Sequence, residues 1–161
     1  MPSIPSRKHI ESSIENALRA LVSRDSYLLK TDLGERCIAH RFAIYLANEF
    51  PEWDVDCEYN RNGHRLKELP LSDSCRELLR TTDRVVPDVV VHKRGEDGPN
   101  LIAIELKIAR RTGEDCDLAK LRGYISVIGY RFGLYVCFRS GNVADHVART
   151  IILPEQPSNQ Q

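Results

Sequence analysis

The sequence predicts an α/β fold in which a mixed central sheet is flanked by helices. Three patterns carry this prediction. Apolar residues recur with helical spacing in 8–24 and 33–50, they alternate with acidic residues in 53–59, and they form strand-like runs in 85–92 and 101–108. A chain of 161 residues is long enough to bury one core of ordinary size.

The first two helical segments differ in the share of their surface that is apolar. Segment 8–24 has a single apolar stripe, which predicts a peripheral helix, whereas segment 33–50 is more apolar and predicts a helix of the core. Asp32 is a candidate N-cap for this core helix, and Pro51 marks its end.

Segment 53–59 alternates apolar with acidic residues, as a strand with one buried face does. Trp53 and Tyr59 fall on the face expected to be buried, so we do not expect either ring to stack on nucleic-acid bases. The pattern weakens across 60–84, which we expect to be an insertion with a short helix at 74–80.

Segments 85–92 and 101–108 predict a β-hairpin. The first is rich in β-branched residues, the second alternates large apolar side chains, and 95–100 between them has turn chemistry. In the second strand of this hairpin, the side chains of Glu105 and Lys107 therefore lie on the face opposite to the apolar face.

Beyond the hairpin, the sequence predicts a helix, a buried strand, a last helix and a disordered tail, at 117–130, 134–138, 143–150 and 154–161. No internal repeat or linker divides the chain, so we expect a single domain over 1–153.

Composition bounds the classes of protein that fit. Lys and Arg together number 23, as do Asp and Glu, so any nucleic-acid partner must contact a local patch. The 5 cysteines and 5 histidines lack metal-ligand spacing, so we expect neither a zinc site nor a disulfide framework, and we expect the histidines to be surface or satisfied core residues. Without a signal-peptide pattern or a membrane-length apolar stretch, the sequence predicts a reduced, soluble, cytoplasmic protein with no membrane partner.

The predicted hairpin can bring three charged side chains together. Asp88, after Pro87, can lie beside Glu105 and Lys107 on one face of the sheet. Adjacent half-buried carboxylates repel each other and lose hydration, and a divalent cation such as Mg²⁺ or Mn²⁺ would compensate both. The alternative is a solvated Glu105–Lys107 pair, with Asp88 merely following a proline that opens the strand.

The core elements follow the order αβββαβ, at 33–50, 53–59, 85–92, 101–108, 117–130 and 134–138. With Pro87-Asp88 on the second strand and Glu105-Leu106-Lys107 on the third, this order resembles the PD-(D/E)xK nuclease superfamily, which includes restriction endonucleases and Holliday-junction resolvases. The resemblance covers residues 33–138. It implies a restriction endonuclease-like fold and metal-dependent hydrolysis of a nucleic-acid phosphodiester.

The resemblance also implies a role for each residue of the motif. Asp88 and Glu105 would ligate Mg²⁺, for which Mn²⁺ could substitute, and the backbone carbonyl of Leu106 would be a further ligand. Lys107 would orient the attacking water and the scissile phosphate.

Glu35 has two interpretations. It matches the acidic catalytic or metal-binding residue that relatives add from the first core helix. The spacing from Asp32 to Glu35 is also that of a capping box, in which Glu35 would only bond back to the Asp32 amide.

Two further sets of residues are candidates for nucleic-acid contacts. The resemblance places phosphate contacts in the helix after the third strand, where the candidates are Lys120, Arg122 and Tyr124. The insertion adds a local basic run suited to a phosphate backbone, formed by Arg61, Arg65 and Lys67. Either set could equally be an ordinary solvated surface.

These interpretations favour a small Mg²⁺-dependent endonuclease acting on DNA rather than RNA. No module for reading sequence is recognisable, so specificity would come from loops, nucleic-acid structure or a partner protein, and a duplex cut would favour a homodimer. One alternative is a non-cleaving nucleic-acid-binding or scaffolding subunit of a defence or mobile-element complex. Another is an α/β interaction domain with coincidental motifs, in which Asp88 should lie far from Glu105.

Overall fold

A computed structural model of the chain describes residues 3–31, 33–63, 65–80, 82–95, 99–108, 113–138 and, for the backbone alone, 147–152. The helices are α1 (Arg7–Arg24), α2 (Ser26–Lys30), α3 (Glu35–Glu49), α4 (Asp73–Leu79) and α5 (Glu114–Gly123), and α5 continues into a π-helical turn (Tyr124–Ile128). The strands are β1 (Asp54–Cys57), β2 (Arg61–Asn62), β3 (Arg65–Leu66), β4 (Val89–His92), β5 (Asn100–Ile108), β6 (Phe132–Phe138) and β7 (Val147–Ile152).

The central sheet has the strand order β1-β4-β5-β6-β7. Strands β5 and β6 are parallel and are joined through α5, whereas the other three neighbouring pairs are antiparallel. Strands β2 and β3 form a separate two-stranded sheet. The protein therefore has a mixed sheet in an α/β fold, as the sequence predicts.

Helices cover both faces of the central sheet. Apolar side chains of α1 and α3 pack on one face against residues such as Val89 and Ile104. On the other face, side chains of α4, α5 and the π-helical turn pack against residues such as Val90 and Ala103. This three-layer arrangement explains why the first seven residues of β5 are all buried.

The register between β4 and β5 leaves the carboxyl end of β5 without a partner strand on the side of β4. Val89 at the start of β4 pairs with Ile104, so β5 extends four residues beyond its partner. Backbone groups of this extension that point toward β4 have no strand to bond and need other partners. The αβββαβ order of elements is present, with β2, β3 and α4 inserted between the first two core strands.

Most expected elements are confirmed, but the second core strand and the last helix differ from expectation. The second core strand, expected from residue 85, begins at Val89. The N–H of Val85 donates instead to the Lys67 carbonyl, and Pro87 has no N–H to donate. The expected last helix at 143–150 is wrong over its described part, since β7 pairs antiparallel with β6. Pairing with an open strand edge outweighs the local pattern there. The prediction of Asp32 as the N-cap of the core helix is wrong, because Gly34 is the N-cap of α3. The expected disordered tail at 154–161 lies outside the described residues.

The expectation of a wholly reduced chain is also wrong. Cys75 in α4 and Cys116 in α5 form a disulfide, with Cα atoms 5.5 Å apart and a sequence separation of 41 residues. Cys37, Cys57 and Cys137 are not part of a disulfide. The bond joins the inserted helix to the first turn of α5, the helix that lies beside the candidate site.

Candidate active site

Two carboxylates satisfy the unpaired edge of β5. Asp88, one residue before β4, accepts the Leu106 amide at 2.7 Å through Oδ2. Glu35, from the start of α3, accepts the Ile108 amide at 3.3 Å through Oε1. The side chains of two distant elements therefore take the place of the missing β4 residues, and both converge on the carboxyl end of β5.

The Leu106 carbonyl faces the same edge. In a strand the N–H and C=O of one residue point to the same side, and the Leu106 N–H points to Asp88. The backbone oxygen proposed as a metal ligand is thus directed toward the two carboxylates rather than toward β6.

Glu105 lies deeply buried between β5 and α5, with 3% of its surface exposed. Its Oε2 accepts from Lys120 Nζ at 2.6 Å, whereas its buried Oε1 has no donor at hydrogen-bond geometry, with the buried Tyr124 hydroxyl nearby. Asp88 is close enough to raise the pKa of Glu105. The alternative of coincidental motifs expects Asp88 to lie far from Glu105, so this proximity argues against it.

Lys107 lies beside Glu105 in sequence but contacts a different carboxylate. Its Nζ lies 3.0 Å from Asp117 Oδ2, and Asp117 Oδ1 lies 3.2 Å from Lys120 Nζ. Asp117 is buried, and it is the site residue that sequence analysis missed. The available signal was its i,i+3 spacing from Lys120, which places both side chains on one face of α5.

Burial without full charge compensation raises the pKa of two carboxyl groups of the site. Burial raises the pKa of Asp88 to about 6, with Glu35 and Asp117 adding to the rise and the Leu106 amide and Lys120 opposing it. Burial likewise raises the pKa of Glu105 to about 8, an effect that Lys120 opposes and Asp88 and Asp117 reinforce. Perturbed carboxyl groups that share a site are a physical indication of function.

The charges of this site favour a divalent cation. Four carboxylates, from Glu35, Asp88, Glu105 and Asp117, meet the two ammonium groups of Lys107 and Lys120. When all six groups are ionised, two negative charges are left in excess. Hard oxygen donors and the orphaned Glu105 Oε1 suit Mg²⁺ or Mn²⁺.

Within the described residues, no three His, Cys, Asp or Glu side chains are grouped closely enough to hold a metal ion as they stand. Protein donors now hold the candidate ligands, since Leu106, Ile108 and Lys120 each occupy one carboxylate oxygen. A cation could use the unbonded Oε1 of Glu105 as the side chains stand, and would replace the ammonium of Lys120 only by also binding Oε2.

The structure favours a site role for Glu35 over capping. Gly34, with φ of +88°, is the N-cap of α3, so Glu35 is the first residue of the helix rather than the third. Its carboxylate reaches the Ile108 amide, 73 residues away in sequence. A capping box would instead require Glu35 at the N3 position.

The three candidates in the helix after β5 lie in different environments. Lys120 contacts Glu105 and Asp117 inside the site rather than facing solvent. Tyr124 is fully buried, and burial together with the Glu105 carboxylate raises its pKa, so a direct phosphate contact through its ring or hydroxyl does not fit. Arg122 is exposed.

The basic run of the insertion is likewise divided. Lys67 is 1% exposed, and its Nζ donates to the carbonyls of Tyr59 and Arg61 at 2.7 and 2.5 Å. Burial lowers the pKa of Lys67 to about 8. Lys67 therefore holds the insertion together and is not placed to contact phosphate, whereas Arg61 and Arg65 are exposed.

The described histidines agree with surface or core roles. His9 and His40 are exposed. His92 is buried, and its Nε2 lies 2.9 Å from Asp56 Oδ2, which also accepts from Arg94. His64 and His146 lie outside the described residues.

No family model matches the chain, and no curated protein matches it. The solved structure described as "Crystal structure of SSO0001" aligns with 91% of this chain and 67% of that one, at 15% identity and a TM-score of 0.36. A similarity this low carries no conclusion about function. Among the described residues, no helix has both the length and the apolarity needed to cross a membrane.

Proposed function

We propose that this chain is a Mg²⁺-dependent nuclease with a restriction endonuclease-like fold, acting on DNA rather than RNA. The observation that carries the proposal is the buried Glu105 carboxylate beside Asp88, whose Oε1 has no donor at hydrogen-bond geometry, in a site that would hold two excess negative charges with all six groups ionised. A protein keeps such a costly arrangement where a ligand compensates it.

The residues would divide the work by position. Glu35, Asp88, Glu105 and the Leu106 carbonyl would hold the cation, which when bound supplies compensation of the charge that builds on the phosphate. Lys107, held at its Nζ by Asp117, would orient the attacking water and the phosphate.

Cleavage assays test the proposal directly. Supercoiled, linear, single-stranded and branched DNA, and RNA, would be incubated with the protein in Mg²⁺, Mn²⁺ or EDTA. We expect metal-dependent cleavage of DNA that Glu105→Gln and Lys107→Ala abolish, while only Glu105→Gln also weakens calorimetric Mn²⁺ binding. Glu77→Gln, at an exposed position on α4, is the matched control and should cleave normally. Failure of the wild-type protein to cut any substrate in either metal would refute the proposed activity.

One observation favours a second candidate, a non-cleaving nucleic-acid-binding or scaffolding subunit. The edge amides of β5 and the ammonium of Lys120 already give each of Glu35, Asp88 and Glu105 a protein partner. In that case the cluster is structural, and DNA would bind equally well in EDTA and in Mg²⁺ without being cut.

Specificity and assembly belong to the same proposal. One site cuts one strand, so cleavage of both strands of a duplex would require a homodimer. With no recognisable module for reading sequence, a partner protein could direct the site to its substrate.

A further inference from the structure

Asp117 is shared by two lysines of the site. Its Oδ2 lies 3.0 Å from Lys107 Nζ, and its Oδ1 lies 3.2 Å from Lys120 Nζ. All three side chains are largely shielded, with 4% of the Asp117 side chain and 12% of each lysine side chain exposed. One buried carboxylate therefore sets the position of both ammonium groups.

Lys120 has a second partner that the proposed chemistry needs. Its Nζ lies 2.6 Å from Glu105 Oε2, a carboxylate assigned to the cation. Oε1 of Glu105 is the oxygen open to a cation, so a cation that binds both carboxylate oxygens must displace this ammonium from Oε2. A buried ammonium cannot be left without a counter-charge, so its release requires another carboxylate within reach.

We propose that Asp117 is a positioning residue that anchors Lys107 and takes over Lys120 when a cation binds both oxygens of Glu105. This inference rests on the proposed function. Because Lys120 already touches both carboxylates, the transfer needs only that one of its two contacts be lost. Asp117 itself binds no metal and no substrate in this scheme.

Removing the negative charge of Asp117 should therefore trap Lys120 on Glu105. In Asp117→Asn, an amide replaces a carboxylate of nearly the same shape, and Lys120 keeps Glu105 as its remaining anionic partner. We expect Mn²⁺ affinity, measured by calorimetry on the full chain, to fall at least tenfold. Asp115→Asn, an exposed position in the same turn of α5, removes an equal charge and should change the affinity less than twofold.

The second arm removes the competing ammonium. Lys120→Gln should bind Mn²⁺ at least as tightly as the wild-type protein, because no ammonium has to leave Glu105. In the Lys120→Gln background, Asp117→Asn should then cost less than threefold. Such suppression distinguishes positioning through Lys120 from a simple loss of negative charge or of structure, either of which would persist in the double variant.

The outcomes separate the inference from the proposed function. Wild-type protein that binds no Mn²⁺ would overturn both. Wild-type binding with equal affinity in Asp117→Asn, or the same loss in both backgrounds, would overturn the inference alone. Thermal melting in EDTA reports whether each variant folds, and if Asp117→Asn does not, loss of Mn²⁺ binding in a folded Lys120→Gln would still refute the role given to Lys120.

Discussion

Asp88 combines a structural and a chemical duty in one side chain. Its Oδ2 accepts the N–H of Leu106 at the edge of β5. Strand β4 cannot do so, because it begins at Val89, which pairs with Ile104. Burial at the same place raises its pKa to about 6, so near neutral pH the charged form is maintained at a cost. A ligand that compensates this charge would stabilise the fold.

This dual role predicts the behaviour of Asp88→Asn. The amide oxygen of Asn can still accept from Leu106, so without metal at pH 8 the variant should be at least as stable as the wild-type protein. Added Mn²⁺ should stabilise only the wild type, by up to about 2.7 kcal/mol at a hundredfold excess over Kd. Melting temperatures with and without Mn²⁺ check this, and an equal metal response in both proteins would contradict a metal site at Asp88.

Glu35→Gln separates charge from hydrogen bonding at the start of α3. Gln can still accept the Ile108 amide, so the free energy of unfolding without metal should change by less than about 0.5 kcal/mol. A ligand of the cation needs the negative charge, so the cleavage rate at limiting Mg²⁺ should fall at least about tenfold, equivalent to about 1.4 kcal/mol. Unchanged cleavage would limit Glu35 to satisfying the strand edge.

The sequence could predict only the part of the site that local periodicity controls. Alternation along β5 and a turn before it were enough to place Glu105 and Lys107 on one face near Asp88. The partners of Lys107 and Lys120 could not be predicted from the sequence, because tertiary packing sets the position of α5 over the sheet. For the same reason nothing in the basic run of 61–67 distinguished buried Lys67 from its exposed neighbours.

At the scale of elements, the sequence predicted interior strands and helices well and failed at the sheet edge. Strand β5 and helix α3 carry long patterns that agree with their surroundings. The described part of 143–150 instead pairs with β6, since an open edge of backbone groups requires a partner whatever the local pattern favours. The pairing of Cys75 with Cys116, far apart in sequence, likewise depends on how α4 packs against α5.

This disulfide should contribute substantially to stability. It closes a loop across a sequence separation of 41 residues, for which loop entropy gives about 4 kcal/mol, so Cys75→Ser/Cys116→Ser should lower the free energy of unfolding by about 2–4 kcal/mol. Urea denaturation measures the loss, and Cys57→Ser, at an exposed free cysteine, is the control. Alkylation in denaturant without reductant should modify Cys37, Cys57 and Cys137, and modification of all 5 cysteines would show that the bond is absent.

For the molecule as a whole, the main feature is a layered core that borders a cluster of four carboxylates, which two ammonium groups compensate only in part. Helices on both faces of the sheet bury Glu105 near the carboxyl end of β5, so its repulsion with Asp88 is weakly screened. The same burial that makes the site costly without a ligand would make its electrostatics effective with one. Stability and function should therefore depend on pH together.

The pH dependence of metal-free stability follows from the pKa values. The native protein holds a proton on Glu105 up to a pKa of about 8, whereas the unfolded chain releases it near its ordinary value of 4.5. Stability should therefore fall as pH rises toward 8, by at most about 1.4 kcal/mol per pH unit. The raised pKa of Asp88 also lowers stability with rising pH, up to about pH 6. The lowered pKa of His92 has the opposite effect on stability, but only below pH 6.5. The lowered pKa of Lys67 also opposes the decline, but only above about pH 8.

The window from pH 6.5 to 8 therefore isolates Glu105. Without metal, the free energy of unfolding should fall by at most about 2 kcal/mol across this window, and Glu105→Gln should remove the decline. Saturating Mg²⁺ should stabilise the wild-type protein more at pH 8 than at pH 6.5, because the cation binds the deprotonated carboxylate. Urea denaturation at both pH values, with Mg²⁺ or EDTA, measures all four states. Metal-free stability that stays level or rises between pH 6.5 and 8 would mean that Glu105 is ionised throughout and that Lys120 and its neighbours already compensate the site without a cation.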